Sequence, residues 1–236
     1  MEEIAVLLVE DEPVLAAIVK ESLEKRGFRI QIAKNGIEGW DLFKTTRPDI
    51  CVIDVMLPRK DGFSLLTDIR LIDDQVPVIC LTARTGQDDV LKGLELGADD
   101  YMKKPFSMEE LILRLKAMTR RKPGKSASSS SPGLDFLVGK FRYNQDRLEL
   151  SGDPLPVILS QREGDLLYLL LLNKNQLLER REALVKLWGN DNPLNARSMD
   201  VYITRLRKFI KSDPSVAIIN HRGQGYSLVE YTSRNN

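Results

Sequence analysis

The chain has 236 residues, of which 42% are hydrophobic, and it carries a net charge of +1, one histidine and two cysteines. This length suits two ordinary domains that each bury a core, and a single histidine excludes a zinc cluster built on histidines. No apolar run approaches about 18 residues and no signal peptide opens the chain, so we expect a soluble, cytoplasmic protein with no membrane partner.

Apolar strands alternate with segments of helical periodicity in the first half of the chain. The first, third, fourth and fifth strands are predicted near residues 4–9, 50–54, 78–81 and 101–103, and helices at 14–25, 37–45, 63–70, 88–96 and 107–121. Five alternations in about 120 residues predict an α/β fold, a doubly wound, five-stranded parallel sheet of the flavodoxin-like kind. Cys51 and Cys80 fall within these strands, and we expect buried small hydrophobes there and not a disulfide or a metal site.

Five polar side chains are expected to meet at one edge of this sheet, because each lies at the end of a predicted strand. They are Glu10 and Asp11 after the first strand, Asp54 at the end of the third, and Thr82 and Lys104 after the last two. Three crowded carboxylates repel one another and favour a divalent cation, and Mg²⁺ suits a site that also takes phosphate oxygens. Lys104 can pair with Asp54 or with a phosphoryl group on it, and Thr82 offers a hydroxyl. The set predicts phosphoryl transfer to a carboxylate acceptor.

Residues 1–121 resemble the receiver domain of bacterial two-component response regulators. The motifs are Glu10-Asp11, Asp54 with Met56-Leu57-Pro58 and Asp61-Gly62, Thr82-Ala83, Gly97-Ala98-Asp99-Asp100-Tyr101, and Lys104-Pro105-Phe106. The resemblance implies that a partner histidine kinase phosphorylates Asp54. It also implies that Asp11 and Asp54 bind Mg²⁺ directly, that Glu10 acts through water, and that the Met56 carbonyl completes the protein ligands. Thr82 and Tyr101 would then be the switch residues, and the Lys104–Pro105 bond would be cis.

Two other interpretations of the first half remain open. A flavodoxin-like binding domain with an acidic rim has the same fold, and a haloacid-dehalogenase-like phosphatase also uses an aspartate at a strand end. Those phosphatases place a second carboxylate two residues later for acid–base work, whereas Met56 stands there in this chain. We therefore expect no enzyme, but a phosphoacceptor that at most hydrolyses its own phosphoaspartate slowly.

Residues 122–133 include a serine run with proline and glycine, a composition that predicts a flexible linker. The linker separates a first domain at 1–121 from a second domain at 134–231, which a tail at 232–236 follows. With 19 Lys and Arg against 22 Asp and Glu, residues 1–122 carry −3, and with 16 against 12, residues 123–236 carry +4. This mild basic bias of the second half does not by itself establish nucleic-acid binding.

The second half predicts a small antiparallel sheet, three helices and a hairpin. The strands lie near 136–138, 141–143, 147–150 and 155–159, the helices at 160–172, 181–188 and 196–210, and the hairpin strands at 217–220 and 226–229. Ser160 and Glu163 form a capping-box pattern at the start of the first helix. Gly164 in that helix is expected to cost about 1 kcal/mol relative to alanine and to fill no core volume.

The third helix carries an apolar stripe and a basic stripe. The apolar stripe, expected to face the core, consists of Met199, Ile203, Leu206 and Ile210. The second stripe consists of Ser198, Val201, Tyr202, Arg205 and Lys208, with Arg197 and Arg207 at its flanks. A basic helix that follows two helices and precedes a glycine-rich hairpin tip with Arg222 predicts insertion into the major groove of DNA.

Residues 134–231 resemble the α+β winged-helix-turn-helix effector domain of the OmpR/PhoB class. The motifs are Leu187-Trp188-Gly189, the run at 197–208, and Arg222-Gly223-Gln224-Gly225-Tyr226. The resemblance implies that Arg197, Ser198, Tyr202 and Arg205 face the major groove and that Val201 meets a thymine methyl. Arg207 is expected to touch phosphate, and Arg222 to enter or border the minor groove. The alternative is a winged helix that binds a protein, such as RNA polymerase, instead of DNA.

The receiver resemblance further implies a phosphorylation-dependent homodimer. Its face would be formed by the helix at 88–96, the fifth strand and the helix at 107–121. The expected intersubunit ion pairs are Asp99 with Arg114 and Asp100 with Arg121, while Val90 replaces the basic partner of Glu110. The two resemblances together predict a phosphorylation-dependent transcription regulator that binds double-stranded promoter DNA, with RNA polymerase as a further partner.

Overall fold

The computed structural model describes residues 3–83, 93–94, 96–119, 135–152 and 155–231, and the chain divides into two units, Met1–Arg120 and Arg121–Asn236. The predicted linker, the predicted tail and most of the predicted helix at 88–96 lie outside the described residues. Among the helices that the structure describes, none is both long enough and apolar enough to cross a membrane.

The first unit contains a parallel sheet of five strands in the order β2-β1-β3-β4-β5, a flavodoxin-like arrangement. The strands are β1 Ile4–Val9, β2 Phe28–Ala33, β3 Ile50–Asp54, β4 Val78–Thr82 and β5 Asp100–Lys103. The described helices are α1 Pro13–Glu24, α2 Gly36–Thr46, α3 Gly62–Ile72 and α4 Met108–Thr119. The predicted α/β fold is confirmed in this unit.

Apolar sequence and helix capping explain these elements. Every residue of β3 and β4 is buried, which is typical of central parallel strands covered on both faces. The side chains of Asn35 and Asp61 accept hydrogen bonds from the first-turn amides of α2 and α3. Cys51 and Cys80 are free and buried, and burial raises the pKa of each thiol to about 12, so both behave as apolar core residues.

The second unit begins with an antiparallel sheet and ends with a three-stranded sheet. The first sheet contains β6 Asp135–Val138, β7 Phe141–Asn144, β8 Glu149–Ser151 and β9 Val157–Ile158. Then follow α5 Gln161–Leu172, β10 Leu178–Glu179, α6 Arg180–Trp188, α7 Pro193–Ile210, β11 Val216–His221 and β12 Gly225–Glu230. The second sheet has the order β10-β12-β11, so the β11–β12 hairpin forms a wing beside α7.

Two features of the second unit differ from the prediction. The helix expected at 196–210 begins at Pro193, because the Asn192 side chain caps it and proline is well suited to the first helical turn. Gly164 does not leave core volume unfilled, since a methyl group there would lie 2.5 Å from Leu148 Cδ2 and 2.7 Å from the Tyr143 hydroxyl. Those two side chains occupy the space, so the glycine permits close packing of α5 on the first sheet.

Candidate functional site

The carboxyl edge of the parallel sheet carries three carboxylates. Glu10 follows β1, Asp11 is next in the chain, and Asp54 is the last residue of β3. One oxygen from each carboxylate lies within 4.8 Å of the others. Glu10 and Asp54 are buried and Asp11 is exposed, so the cluster opens to solvent on one side.

The Lys104 ammonium group contacts two of these carboxylates. Its Nζ donates to Asp54 Oδ2 at 2.5 Å and to the two carboxylate oxygens of Glu10 at 2.7 and 2.9 Å. The Lys104 amide donates to Thr82 O at 2.8 Å, and the peptide bond from Lys104 to Pro105 is cis. The Met56 amide donates to Asp54 Oδ1 at 2.8 Å, so the carboxylate is oriented from both sides.

Burial and ion pairing have opposite effects on the pKa of Glu10, and likewise on the pKa of Lys104. Burial raises the pKa of Glu10 above its usual 4.5, and the hydrogen bond and charge of Lys104 offset that effect only in part. Burial alone would lower the pKa of Lys104, but its hydrogen bonds to Asp54 and Glu10 outweigh burial and raise the pKa. Lys104 is therefore a fixed positive charge beside Asp54 at neutral pH.

The donor set fits a hard divalent cation. The cluster found among the described residues consists of carboxylates alone, and oxygen is the ligand that Mg²⁺ prefers. Three neighbouring carboxylates repel one another, and a bound cation relieves that repulsion. Because the cluster opens to solvent at Asp11, water can supply the further ligands that Mg²⁺ retains.

The two predicted switch residues, Thr82 and Tyr101, are both buried. A methyl group on Gly93 would lie 1.3 Å from the Tyr101 hydroxyl, so the tyrosine fills the space beside that glycine. Gly93 was not among the predicted site residues, because the sequence around it shows only helical periodicity. The packing of Tyr101 is the signal that identifies this position.

The ion pair of Asp99 differs from the predicted one. Arg70 of α3 donates through Nη2 to Asp99 Oδ2 at 2.7 Å, and the Val78 amide donates to the same oxygen at 2.8 Å. Arg70 also donates through Nε to Gly97 O at 2.8 Å. Asp99 is buried immediately before β5 and pairs with Arg70 within its own chain, and its pairing with Arg114 of a second copy stays a prediction.

Arg114 is likewise paired within its own chain. It donates to both carboxylate oxygens of Asp100 at 2.7 and 2.6 Å and to Glu110, one helical turn earlier, at 2.6 Å. Arg114 and Asp100 are both buried, so this ion pair joins α4 to β5 away from solvent. Arg121, the predicted intersubunit partner of Asp100, and Val90 lie outside the described residues.

In the second unit, α7 buries a wider arc than the sequence predicts. The four residues expected to face the core are buried: Met199, Ile203, Leu206 and Ile210. Ser198 and Tyr202 are also buried, at 1% and 0% exposure, and the Tyr202 ring stacks on Trp188 with centroids 6.2 Å apart. The prediction that Ser198 and Tyr202 face the major groove is therefore wrong. The reason is that α7 contacts α5, α6 and β11 together, which covers more of the helix than one stripe.

Two arginines of α7 are bonded within the unit. Arg205 Nη1 lies 3.3 Å from Glu163 Oε1 of α5, and its guanidinium lies 5.7 Å from the Tyr202 ring centroid. Arg205 therefore contacts α5 while its side chain stays 23% exposed, and its place at the groove stays a prediction. Arg207 donates through Nε and Nη2 to Ile218 O of β11 at 3.0 and 2.8 Å, although the residue is exposed.

The outward face of α7 and the wing tip carry the other predicted DNA-binding residues. Arg197 and Val201 are half-buried on that face, Lys208 is exposed, and Arg222 is exposed in the turn between β11 and β12. Thr204 is exposed one turn from Val201 and from Lys208. Thr204 was not among the predicted residues, because the predicted stripe was defined by its basic side chains.

Each of the two units matches a known protein family. Residues 6–116 match the model of the response regulator receiver domain, and residues 154–228 match the model described as transcriptional regulatory protein, C terminal. The chain is 42% identical over 228 residues to the transcriptional regulatory protein RprY of Bacteroides fragilis, a match that covers 97% of this chain and 95% of that protein. It is 40% identical over 226 residues to the transcriptional regulatory protein TrcR of Mycobacterium tuberculosis, covering 95% and 86%.

One solved structure matches over nearly the whole chain. It is the response regulator DrrB, described as a Thermotoga maritima OmpR/PhoB homolog, with a TM-score of 0.50 and 26% identity. The match covers 97% of this chain and 100% of that structure.

Proposed function

Because the chain belongs to the OmpR/PhoB class of two-component response regulators, we propose that Asp54 is the phosphoacceptor that controls its DNA binding. The chain is a phosphorylation-dependent, DNA-binding regulator of transcription, and its family implies a histidine kinase partner. The observation that carries the assignment of Asp54 is the 2.5 Å contact with Lys104, beside two further carboxylates at the carboxyl edge of the sheet.

Asp54 acts as the nucleophile in this proposal. One of its carboxylate oxygens attacks the phosphorus of a phosphohistidine, and the imidazole nitrogen leaves with the electron pair of the broken P–N bond. Lys104 donates to the oxygens of the transferred group and offsets their charge. The Thr82 hydroxyl, buried at the end of the adjacent strand β4, donates to the same group.

Four groups would hold a magnesium ion at this site. Asp11 and Asp54 would bind it directly, Glu10 through water, and Met56 through its carbonyl. When bound, Mg²⁺ offsets the charge of the phosphoryl oxygens. The closeness of the three carboxylate oxygens and the opening to solvent at Asp11 support this set.

The same site gives no reason to expect turnover on external substrates. Met56 is 49% exposed and stands where a phosphatase of the haloacid-dehalogenase kind would carry its acid–base carboxylate. We therefore propose a regulator and not an enzyme, with at most slow hydrolysis of its own phosphoaspartate.

The outward face of α7 enters the major groove in our proposal for the second unit. Arg197 and Thr204 offer polar contacts to base edges, and Val201 meets a thymine methyl. Lys208 binds the phosphate backbone, and Arg222 at the wing tip enters or borders the minor groove. Thr204, Lys208 and Arg222 are exposed and Arg197 and Val201 are half-buried, so each of the five keeps surface that supports the set.

Dimerisation and the other partners are part of the same proposal. Phosphorylation of Asp54 repositions Thr82 and Tyr101, and the face that includes β5 and α4 pairs with a second copy. Leu113 of α4 is 68% exposed and Glu110 keeps part of its carboxylate in solvent, so both are available for such a contact. The regulator then acts in the cytoplasm on promoter DNA together with RNA polymerase.

Intact-mass analysis after incubation with acetyl phosphate tests the assignment of Asp54. We expect one phosphoryl group on the wild-type chain with Mg²⁺ and none after chelation with EDTA. Asp54→Asn should stay unmodified, whereas Asp61→Asn, which alters a nearby helix-capping aspartate, should still be phosphorylated. Stable phosphorylation of Asp54→Asn would show that another residue is the acceptor.

A further inference from the structure

Arg180, the first residue of α6, contacts both elements of the DNA interface proposed above. Its backbone amide donates to Gln224 O in the wing turn at 2.8 Å. Its guanidinium donates to both carboxylate oxygens of Asp200 on α7 at 2.7 and 2.8 Å, and to Ala196 O of the same helix at 2.7 Å. A single residue therefore joins the wing tip to the N-terminal half of α7.

Tyr226 of β12 completes this network. Its hydroxyl donates to Asp200 Oδ1 at 2.6 Å, and Arg180 Nη1 lies 3.2 Å from the same hydroxyl. The Tyr226 ring centroid lies 5.9 Å from the Arg180 guanidinium and 6.0 Å from that of Arg207, which in turn donates to Ile218 O of β11. The wing is thus bonded to α7 at two points. One is the hydrogen bond from the buried Tyr226 to Asp200, and the other is the bond from Arg207 to the Ile218 carbonyl.

The backbone of the wing at Gly225 also packs closely against residues 178–180. A methyl group on Gly225 would lie 2.0 Å from Leu178 O and 2.9 Å from the Arg180 amide nitrogen. The close approach allows β10 to pair with β12 next to the wing turn. The spacing between the wing tip and α7 consequently depends on residues 178–180.

The charge of Asp200 gives Arg180 a second role. Asp200 lies on α7 with its side chain 49% exposed, close to the proposed DNA-facing residues Arg197 and Val201. An unpaired carboxylate there would repel the phosphate backbone. The bidentate contact of Arg180 neutralises that charge and fixes its direction.

We propose that Arg180 is a positioning residue that fixes the distance between α7 and the wing, so that the helix and Arg222 contact DNA at the same time. The proposal rests on the DNA interface assigned above. The physical basis is pre-organisation. When α7 and the wing are already held at the correct spacing, both can contact DNA without a further loss of conformational entropy.

A double-mutant cycle in DNA binding tests this role. The affinity of the full-length chain is measured for a duplex enriched by the wild-type chain from a random-sequence pool. Arg222→Ala should weaken binding about tenfold in the wild-type background. In the Arg180→Met background the same change should weaken binding by less than about twofold, because the wing is no longer held at the correct spacing.

Arg181→Met is the matched control. Arg181 is the next residue of α6, is 82% exposed and pairs at 3.2 Å with Asp191 in the segment before α7, so its replacement removes an equal charge and leaves the contacts of Arg180 with Asp200 and Gln224 in place. The effect of Arg222→Ala should be as large in this background as in the wild type. Circular dichroism checks that each variant is folded, and Asp200→Asn replaces Arg180→Met if the latter is not.

The outcomes separate this inference from the interface on which it rests. An equal loss on Arg222→Ala in the wild-type and Arg180→Met backgrounds would overturn the positioning role and leave the interface intact. No loss on Arg222→Ala in the wild type would overturn the wing contact, and the inference with it.

Discussion

Gly164 lies inside α5, at the point where this helix packs against Leu148 and Tyr143. Glycine inside a helix is about 1 kcal/mol less favourable than alanine, so alanine should stabilise an open position. Here the added methyl group would lie 2.5 Å from Leu148 Cδ2 and 2.7 Å from the Tyr143 hydroxyl. The helix can keep its place on the first sheet of the second unit only while this position has no side chain.

We predict that Gly164→Ala destabilises the second unit by about 1–2 kcal/mol, since overpacking outweighs the gain in helix propensity. Urea unfolding of the full-length chain, followed by Trp188 fluorescence in a Trp40→Phe background, measures the change. Leu148→Ala provides the control, because it removes the nearer of the two contacts, so Gly164→Ala should cost less in that background. A stabilising Gly164→Ala in the presence of Leu148 would contradict the packing account.

Ser198 and Tyr202 show the limit of assigning helix faces from sequence. A helical wheel places them with Arg205 on a polar stripe. The wheel does not take into account how many neighbouring elements cover the helix. α7 is covered by α5, α6 and β11, so both residues are buried and Arg205 turns to Glu163. The burial of Met199 and Leu206 was predictable, because apolar residues at helical spacing face the core whichever elements surround the helix.

We predict that Ser198→Ala leaves the preferred DNA sequence unchanged, because the Ser198 hydroxyl donates to Leu194 O inside the unit. Val201→Ala should lower discrimination at one base pair by about 1 kcal/mol, through loss of an apolar contact to thymine. Selection of binding sites from a random-sequence pool measures both effects. A changed preference in Ser198→Ala together with an unchanged one in Val201→Ala would contradict the assigned face.

At the scale of elements, the turn between β6 and β7 depends on two carboxylates. Asp213 accepts a hydrogen bond from the Lys140 amide, and Glu230 accepts one from the Gly139 amide and one from Lys174. The bonds to Ser215 and Lys140 lower the pKa of Asp213, and those to Lys174 and Gly139 lower the pKa of Glu230. The first sheet is thereby joined to the end of α7 and to β12.

Acid should destabilise this junction. A carboxylate whose pKa is lower in the folded state stabilises the fold above its unfolded-state pKa, and this contribution is lost as the pH falls through the folded-state value. We therefore predict that the melting temperature of the second unit falls as the pH is lowered from about 6 to below about 4, as Asp213 and Glu230 take up protons. Scanning calorimetry measures the fall, and Glu230→Gln should reduce its slope. The same slope in that variant would mean that other groups cause the loss.

The elements differ in how far sequence could predict them. The buried runs that form β3 and β4 and the capping box at Ser160 are local patterns, and the structure confirms them. β10 has only two residues and exists because Leu178 and Glu179 pair with Tyr226 and Gly225, so no local pattern marks it. The contact of Asp99 with Arg70 of α3 was not predictable for a similar reason, because the two residues are 29 positions apart in the chain.

At the scale of the whole molecule, the two units divide chemistry and recognition between them. The first unit carries a net negative charge and places its carboxylates at one edge of the sheet, which suits a phosphoryl group held with a cation. The second unit carries a net positive charge and presents α7 and the wing. The motifs that meet at Asp54 were predictable because βα connections of a parallel sheet open on one edge. The network around Arg180 was not, because its partners come from three separate elements.

The central claim is that phosphorylation of Asp54 switches DNA binding by the full-length chain. The most direct test is fluorescence anisotropy with a selected duplex in the presence of Mg²⁺, with and without acetyl phosphate, for the wild-type chain and for Asp54→Asn. We predict that acetyl phosphate increases the affinity of the wild type at least about tenfold, a coupling of about 1.4 kcal/mol, and leaves Asp54→Asn unchanged. Equal affinities of the wild type in both conditions, or an increase in Asp54→Asn, would contradict the account.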